Sequence, residues 1–204
     1  MGLEELLQDI RNLYLESFVA EVQANAEDEE IEVALEPALR DDDGSSVTEG
    51  TLALPVRVDM AVFRDGEIES LGNIEVDEMY DFEPVEFVWG DGMAVQLLPF
   101  TWDAMSLVVP KRSDLDWTPL RTWFLKWFRD EEDDASDPEL LGAVHRLGDP
   151  VEEEQSTVLT IDLGSAPLEA FEEMLDAIEA IGIEDLLIGF IGNGQVPAEG
   201  GAVD

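Results

Sequence analysis

The chain has no cysteine, one histidine and only two lysines among its 204 residues. Without cysteine it cannot form disulfides, thiolate nucleophiles or cysteine-ligated metal sites. With His145 as its single histidine, zinc and copper sites are nearly excluded, because they need several nitrogen or sulfur ligands. We therefore predict no metal site and no cofactor. Calcium and magnesium stay open as alternatives, since both cations bind carboxylates.

Long apolar runs are also missing. No segment approaches the ~20 consecutive apolar residues that a membrane-spanning helix needs. The N-terminal residues 1–5 lack the basic segment with which a secretory signal peptide begins. These two features predict a soluble, cytoplasmic protein that does not interact with a membrane.

Basic residues are scarce and acidic ones abundant: 10 Lys and Arg stand against 50 Asp and Glu, a formal charge of −40. Such a surface repels itself unless salt screens it. One interpretation is adaptation to concentrated salt. The other is functional: an acidic surface that recruits a basic partner, acts as a chaperone for a basic client, or mimics nucleic acid. Direct nucleic-acid binding is disfavoured because the chain lacks a cationic footprint.

The segment 111–129 departs from this composition, since it holds five of the ten basic residues and three of the five tryptophans. Thr118 as N-cap and Pro119 at the first helical position predict a short helix. Its apolar residues would cover about 200° of the helix surface. One hypothesis is a partner-binding site made of Arg121, Trp123, Lys126, Trp127 and Arg129. The alternative is a core helix, because aromatic residues at helical spacing are mostly buried for their apolar area.

Hydrophobic periodicity predicts an α+β fold. A helix over residues 3–24 is followed by strands that form an antiparallel β-meander of about five to six strands. The predicted strands are 31–35, a long one over 52–62 that ends in the Asp65-Gly66 hairpin turn, 68–76, 85–89, 93–97 and 105–109. Helices cover this meander. A C-terminal βαβ unit consists of strand 158–163, helix 167–181 and strand 186–191, with parallel right-handed pairing as the expected connection.

We predict one α+β domain over residues 1–191, with a sub-boundary open at the acidic run 130–137, and a disordered tail over 192–204. A second arrangement stays open, in which the βαβ unit forms a small domain of its own. The chain shows no internal repeat and no motif by which a known family could be recognised.

Catalytic motifs are absent from the sequence. There is no G-x-S-x-G nucleophile elbow. A helix over 138–147 would place His145 near its C-terminus, where a cation is stabilising, so a structural role is favoured and no catalytic residue is predicted. Asp162 is the best single carboxylate for a weak ligand site, together with Ser165, because it lies at a strand end where α/β folds place ligands.

The leading hypothesis is therefore a non-enzymatic protein-binding or adaptor module, with a basic protein partner and a homodimer both open. The alternative is a carboxylate-based, divalent-cation-dependent hydrolase. A concave pocket with converging carboxylates would favour the enzyme, and convex acidic faces alone would count against it.

Overall fold

The computed structural model describes residues 2–26, 30–74, 76, 78–129 and 140–190. Within these residues it confirms the α+β class: an N-terminal helix, antiparallel sheets and a C-terminal strand–helix–strand region. The elements are α1 (Leu3–Ala26), β1 (Ile31–Leu35), β2 (Thr48–Glu49), β3 (Leu54–Pro55), β4 (Met60–Arg64), β5 (Glu67–Gly72), β6 (Val85–Trp89), β7 (Met93–Leu97), β8 (Met105–Pro110), α2 (Thr118–Phe128), β9 (Arg146–Leu147), β10 (Val151–Glu152), β11 (Ser156–Asp162), α3 (Leu168–Ala180) and β12 (Asp185–Gly189).

The strands form three sheets. The largest has seven strands in the order β10-β11-β8-β12-β7-β6, with β9 also paired to β11. A smaller sheet has the order β1-β4-β5, and β2 pairs with β3. In the turn between β4 and β5, Asp65 and Gly66 both have positive φ, 53° and 79°, as a two-residue type I′ hairpin turn requires.

The C-terminal strands join the main sheet in an order that differs from the prediction. β11 and β12 were expected to pair directly and in parallel, but β8 lies between them and is antiparallel to both. β12 instead makes its parallel ladder with β7. The helix α3 therefore crosses over β8, and the strand–helix–strand region shares the sheet of the preceding hairpins.

One face of the main sheet carries the core. The inward residues of β7, β8, β11 and β12 are buried against α2 and α3, whose apolar faces interlock. Phe171 of α3 stacks on Phe100 and Trp102, with ring centroids 6.5 and 6.1 Å apart. None of the described helices is long and apolar enough to cross a membrane.

Two further predictions need correction, and both concern the site described next. The strand predicted over 52–62 is interrupted between β3 and β4, and in that break Arg57 and Asp59 are 4% and 1% exposed. The helix predicted over 138–147 is not formed in its described part: residues 140–145 have no regular structure and β9 follows. His145 is thus not at a helix end. The predicted linker and tail lie outside the described residues.

Candidate functional site

The single histidine lies at the centre of a buried group of acids. His145 is fully buried, and its Nε2 atom is 2.7 Å from Oε1 of Glu36. Its Nδ1 atom is 2.8 Å from Oδ1 of Asp59 and 3.9 Å from Oδ2 of Asp162. These four residues are called the His145 cluster below. The cluster joins segments that are far apart in sequence, so tertiary packing alone brings it together.

Glu36 enters the cluster because β1 ends immediately before it. Its backbone has φ of +50°, and its N–H donates to the carbonyl oxygen of Asp59 at 2.7 Å. The carboxylate accepts hydrogen bonds from the backbone N–H of Leu141 at 2.5 Å and of Ser165 at 3.2 Å. Since a carboxylate only accepts, Nε2 of His145 must be the donor in their 2.7 Å contact. Glu36 therefore holds a proton on Nε2.

Asp59 occupies the break between β3 and β4. Its Oδ1 accepts from the hydroxyl of Tyr14 at 2.7 Å, and its Oδ2 accepts from the N–H of Ile74 at 2.5 Å. The contact from Nδ1 of His145 to Asp59 is short but lacks the alignment of a hydrogen bond. Nδ1 is consequently a buried nitrogen that faces two carboxylates without a directed hydrogen bond to either.

Asp162 is the last residue of β11, and its side chain retains 15% exposure. Its Oδ1 accepts from the N–H of Gly164 at 2.9 Å. Gly164 has φ of +51°, and a Cβ there would lie 2.3 Å from Cδ2 of His145. The turn after β11 therefore needs glycine in order to admit the imidazole. Ser165, the other residue predicted with Asp162, lies on the opposite side of the cluster, with its N–H on Glu36.

Arg57 anchors the cluster to α2. Its Nε donates to the carbonyl oxygen of Phe128 at 2.8 Å and its Nη1 to that of Glu36 at 2.6 Å. A further donor reaches the carbonyl of Arg129, and the guanidinium lies 4.7 Å from the ring centroid of Phe128. The C-terminus of α2 is thereby held next to Glu36 by charge-assisted hydrogen bonds.

The electrostatics of the cluster are strongly perturbed. Burial alone would lower the pKa of His145, but its contacts with Asp59 and Glu36 and the charge of Asp162 raise it to about 10. Burial raises the pKa of Asp162 to about 7; His145 opposes this shift, while Asp59 and Asp103 add to it. Burial also acts upward on the pKa of Glu36, yet its hydrogen bonds and the charge of His145 bring that pKa below its ordinary value.

A concave pocket of about 320 Å³ opens over this cluster. Asp59, Asp103 and Asp162 all contribute to its wall. Its remaining polar wall comes from Arg57, Asn73, Ser106, Arg146 and Thr160, and its apolar wall from Val56, Ile74, Ala104, Ile161 and Phe190. We call this the acidic pocket. Three carboxylates thus converge on one concavity, with a buried imidazole beside them.

A second concavity, of about 660 Å³, lies on the face of the main sheet that points away from α2 and α3. Val88, Ala94, Val108 and Leu187 contribute to it, and Val88 is 70% exposed. We call this the open sheet face. On β8 and β11, the outward residues Ser106 and Thr160 belong to the acidic pocket, so the two concavities adjoin on the same side of the sheet.

Of the predicted partner-binding residues of α2, the two tryptophans are buried and the three basic residues are exposed. Trp123 and Trp127 are buried, and their indole N–H groups donate to the carbonyl of Ala170 and to the carboxylate of Glu173. Lys126 pairs with the same Glu173. Arg121 and Arg129 are exposed, and Arg129 donates to the carbonyl of Leu141. The tryptophans therefore pack α2 on α3, and a partner would meet mainly the cationic side of the helix.

Sequence reasoning singled out Asp162 and Ser165 as weak ligand residues; the structure brings Asp162 to the acidic pocket and Ser165 only to Glu36. That reasoning did not single out Glu36, Asp59 or Asp103. Asp59 left no distinguishing signal, because it alternates with Val58 and Met60 as a solvent-facing residue of a half-buried strand would. Glu36 left none, since an acid after a strand is ordinary in a chain with 50 acids. Nothing in the chain is similar enough to supply a function: no protein-family model, curated protein or solved structure matches it.

Proposed function

We propose that the protein is a carboxylate-based, divalent-cation-dependent hydrolase whose active site is the acidic pocket. One observation carries this proposal: Asp59, Asp103 and Asp162 converge on a single concave pocket beside the buried imidazole of His145. An active site typically combines a concavity with perturbed titratable groups. The sequence alone placed the adaptor hypothesis first, but the same criterion now supports the enzyme.

The chemistry can be written with Asp103 as the proton acceptor, since Asp59 and Asp162 face Nδ1 of His145. The oxygen of a water molecule bonds to the electrophilic carbon of an ester or amide, and one water proton passes to the Asp103 carboxylate. The bond to the leaving oxygen or nitrogen then breaks, and that atom takes the proton back from Asp103. A divalent cation would stabilise the negative charge that develops on the substrate oxygen.

A panel of chromogenic esters, phosphoesters and amides tests this proposal. Activity should depend on added Mn²⁺ or Mg²⁺ and fall at least about 100-fold in Asp103→Asn, within the usual range for removing an acid–base group. Asp65→Asn, in the exposed hairpin turn, is the matched control and should keep full activity. Hydrolysis that is equal in both variants would come from a contaminant or another site and would refute the proposal.

The open sheet face favours a second candidate, a binding function for a basic protein partner. Its apolar residues include the exposed Val88 and the half-buried Leu187, and a chain of charge −40 attracts cations from a distance. A partner with an apolar centre and a basic rim matches both properties. Pairing of two copies through this face is less favoured, because it would bring two like charges of −40 together.

Fluorescence anisotropy with a labelled amphipathic Leu/Lys peptide can test the second candidate, with a Lys/Gly peptide of equal charge as reference. Val88→Asp and Leu187→Asp should each weaken binding of the amphipathic peptide at least about tenfold, equivalent to 1.4 kcal/mol. Ile68→Asp, at an exposed apolar position on β5 outside this face, controls for the added charge. Equal loss in the control, or equal binding of both peptides, would indicate diffuse electrostatic attraction and exclude the surface.

A further inference from the structure

We infer that Asp59, Asp162 and Nδ1 of His145 form a binding site for a divalent cation of the Mn²⁺ type. The catalytic meaning of this site rests on the proposed function. The site adds to that function the identity of the ligands and the class of cation. One oxygen from each aspartate and the ring nitrogen lie within 4.8 Å of one another. His145 and Asp59 are buried, whereas Asp162 is partly exposed at the pocket.

The distances fit a six-coordinate cation. Ligands at about 2.1 Å from such a cation lie about 3 Å apart when adjacent and about 4.2 Å apart when opposite. Nδ1 is 2.8 Å from Oδ1 of Asp59 and 3.9 Å from Oδ2 of Asp162. Both separations fall within or close to this range, so small side-chain rotations suffice to close the site.

The unsatisfied nitrogen is an observation independent of the acidic residues. Nδ1 of His145 is fully buried, lies 2.8 Å from Oδ1 of Asp59 and 3.9 Å from Oδ2 of Asp162, and makes no aligned hydrogen bond. Metal binding to a histidine releases the proton of the ligating nitrogen, so a cation that displaces the Nδ1 proton of the charged imidazole would bind the lone pair left there. A cation in the acidic pocket would satisfy the nitrogen and neutralise the carboxylates together.

The opposite side of the ring shows the arrangement that metal-binding histidines commonly have. Nε2 of His145 donates to Glu36 at 2.7 Å, and Glu36 is itself held by the N–H groups of Leu141 and Ser165. Such a carboxylate fixes the tautomer, orients the ring and increases the basicity of the ligating nitrogen. Here it keeps the proton on Nε2 and leaves Nδ1 to face the two aspartates.

The ligand set also limits the kind of cation. Imidazole suits Zn, Cu, Fe and Ni, whereas carboxylate and water suit Mg, Ca and Mn. Two carboxylates, one imidazole and water from the pocket therefore match Mn²⁺ better than Ca²⁺, which takes only oxygen ligands. The acidic pocket leaves room on the solvent side for the waters that complete six-coordination.

The single histidine makes a direct test possible without any mutation. We would bind Mn²⁺ to tag-free protein in 1 M potassium chloride, where diffuse attraction of cations to the −40 surface is screened. Pulsed electron paramagnetic resonance then detects ligand nitrogen. When the histidine is labelled with ¹⁵N, the coupling between Mn²⁺ and the ligand nitrogen should change from that of ¹⁴N to that of ¹⁵N. Since His145 is the single histidine, this change identifies it as the ligand. A wild-type spectrum without histidine coupling would overturn the inference.

Calorimetric titration supplies the matched variants. We expect one saturable Mn²⁺ site per chain, with affinity at least tenfold weaker in Asp162→Asn and unchanged within twofold in Asp65→Asn. Glu36→Gln should weaken binding by 10- to 100-fold, as loss of a ligand's supporting carboxylate does. Equal affinities in Asp162→Asn and Asp65→Asn would refute the site.

The outcome is separable from that of the proposed function. Mn²⁺ bound through His145 without any hydrolysis would establish the cation site and remove the hydrolase. Hydrolysis that depends on Asp103 but survives complete chelation would keep an enzyme and remove its dependence on a cation, whereas absence of histidine-coupled Mn²⁺ would remove the cation site.

Discussion

Glu36 and His145 are 109 residues apart in sequence, yet Oε1 of one lies 2.7 Å from Nε2 of the other with both side chains fully buried. Burial of two ionised groups is costly unless each has a partner and further hydrogen bonds. Glu36 has these from Leu141 and Ser165, and Asp59 lies within 2.8 Å of the far side of the imidazole. The pair therefore connects the end of β1 to the segment before β9.

Glu36→Gln should destabilise the fold by about 3–5 kcal/mol, because it leaves the charge of His145 with one acid fewer in a buried site. Urea unfolding measures the change in the free energy of unfolding. The control is Glu49→Gln, which removes an exposed ion pair with Arg146 and should cost at most about 1 kcal/mol. Equal effects of the two substitutions would mean that the buried pair has no special weight.

Gly164→Ala should also destabilise strongly, since the new methyl would collide with His145 and the backbone has φ of +51°. We expect a loss of about 2–5 kcal/mol from left-handed strain and overpacking together. Gly182→Ala is the matched control: its φ is +84°, but no atom lies within 4 Å of the added carbon. It should show the strain alone, about 1–2 kcal/mol. Similar losses at both glycines would refute close packing against the imidazole.

Local patterns predicted most of the elements. The apolar periodicities that predicted helices over 3–24 and 167–181 correspond to α1 and α3, and Asp65-Gly66 forms the expected turn. The strand over 52–62 was predicted as continuous because Arg57 and Asp59 alternate with apolar residues. Both instead turn into the interior, where α2 and His145 satisfy them. Alternation cannot distinguish a solvent-facing charge from one that is buried with a distant partner.

The candidate site was only partly predictable for the same reason. Asp162 could be proposed from its place at the end of a strand, which is a local property. The role of His145 could not, because it depends on acids 109 and 86 residues away in sequence. The order of the main sheet was likewise inaccessible, since insertion of β8 between β11 and β12 depends on pairings between distant segments.

The ionisation of His145 gives stability a specific dependence on pH. Its pKa is about 10 in the folded chain and about 6.5 when unfolded. Because the pKa is raised, the charged imidazole stabilises the folded state in full below about pH 6.5, and this stabilisation is lost as the pH rises to about 10. It amounts to at most about 5 kcal/mol. Asp162, whose pKa is raised to about 7, acts in the same direction between about pH 4 and 7, because its ionised form is disfavoured on folding.

Urea unfolding in the presence of a chelator, at several pH values from 6 to 10.5, should therefore show that the free energy of unfolding of the wild type falls as the pH rises. In His145→Gln the decline above pH 7 should be much smaller, although that variant starts from a lower value. Parallel curves for the two proteins would show that other groups cause the decline and that the imidazole is not charged in the folded state.

The buried tryptophans of α2 allow a test of the two interpretations of this helix. Trp123 is 4% exposed, so Trp123→Ala should cost about 3–5 kcal/mol in a urea experiment, as truncation of a core aromatic does. Arg121→Ala, on the exposed side, should change stability by less than about 0.5 kcal/mol. If Trp123→Ala were equally mild, the indole would be available to a partner, and the partner-binding hypothesis would gain the support it lacks.

The charge of −40 leads to the last prediction, that thermal stability depends strongly on salt. Within the described residues, the ion pairs of Arg and Lys with acids lie mostly at exposed positions. Ten basic residues cannot neutralise 50 acids, so repulsion between carboxylates is left for salt to screen. Screening shortens the reach of that repulsion from about 30 Å at 0.01 M salt to about 3 Å at 1 M. Tm should therefore rise steeply between dilute buffer and molar potassium chloride and then level off.

Sucrose is the control, because it favours the compact state by exclusion from the surface without screening charge. If Tm rises in potassium chloride but not in sucrose, charge repulsion is the cause, and the result supports adaptation to salt. An equally high Tm in dilute buffer would contradict the prediction. It would mean that the fold tolerates its charge unaided, and the acidic surface would then be a better candidate for binding a basic partner than for keeping the protein stable in salt.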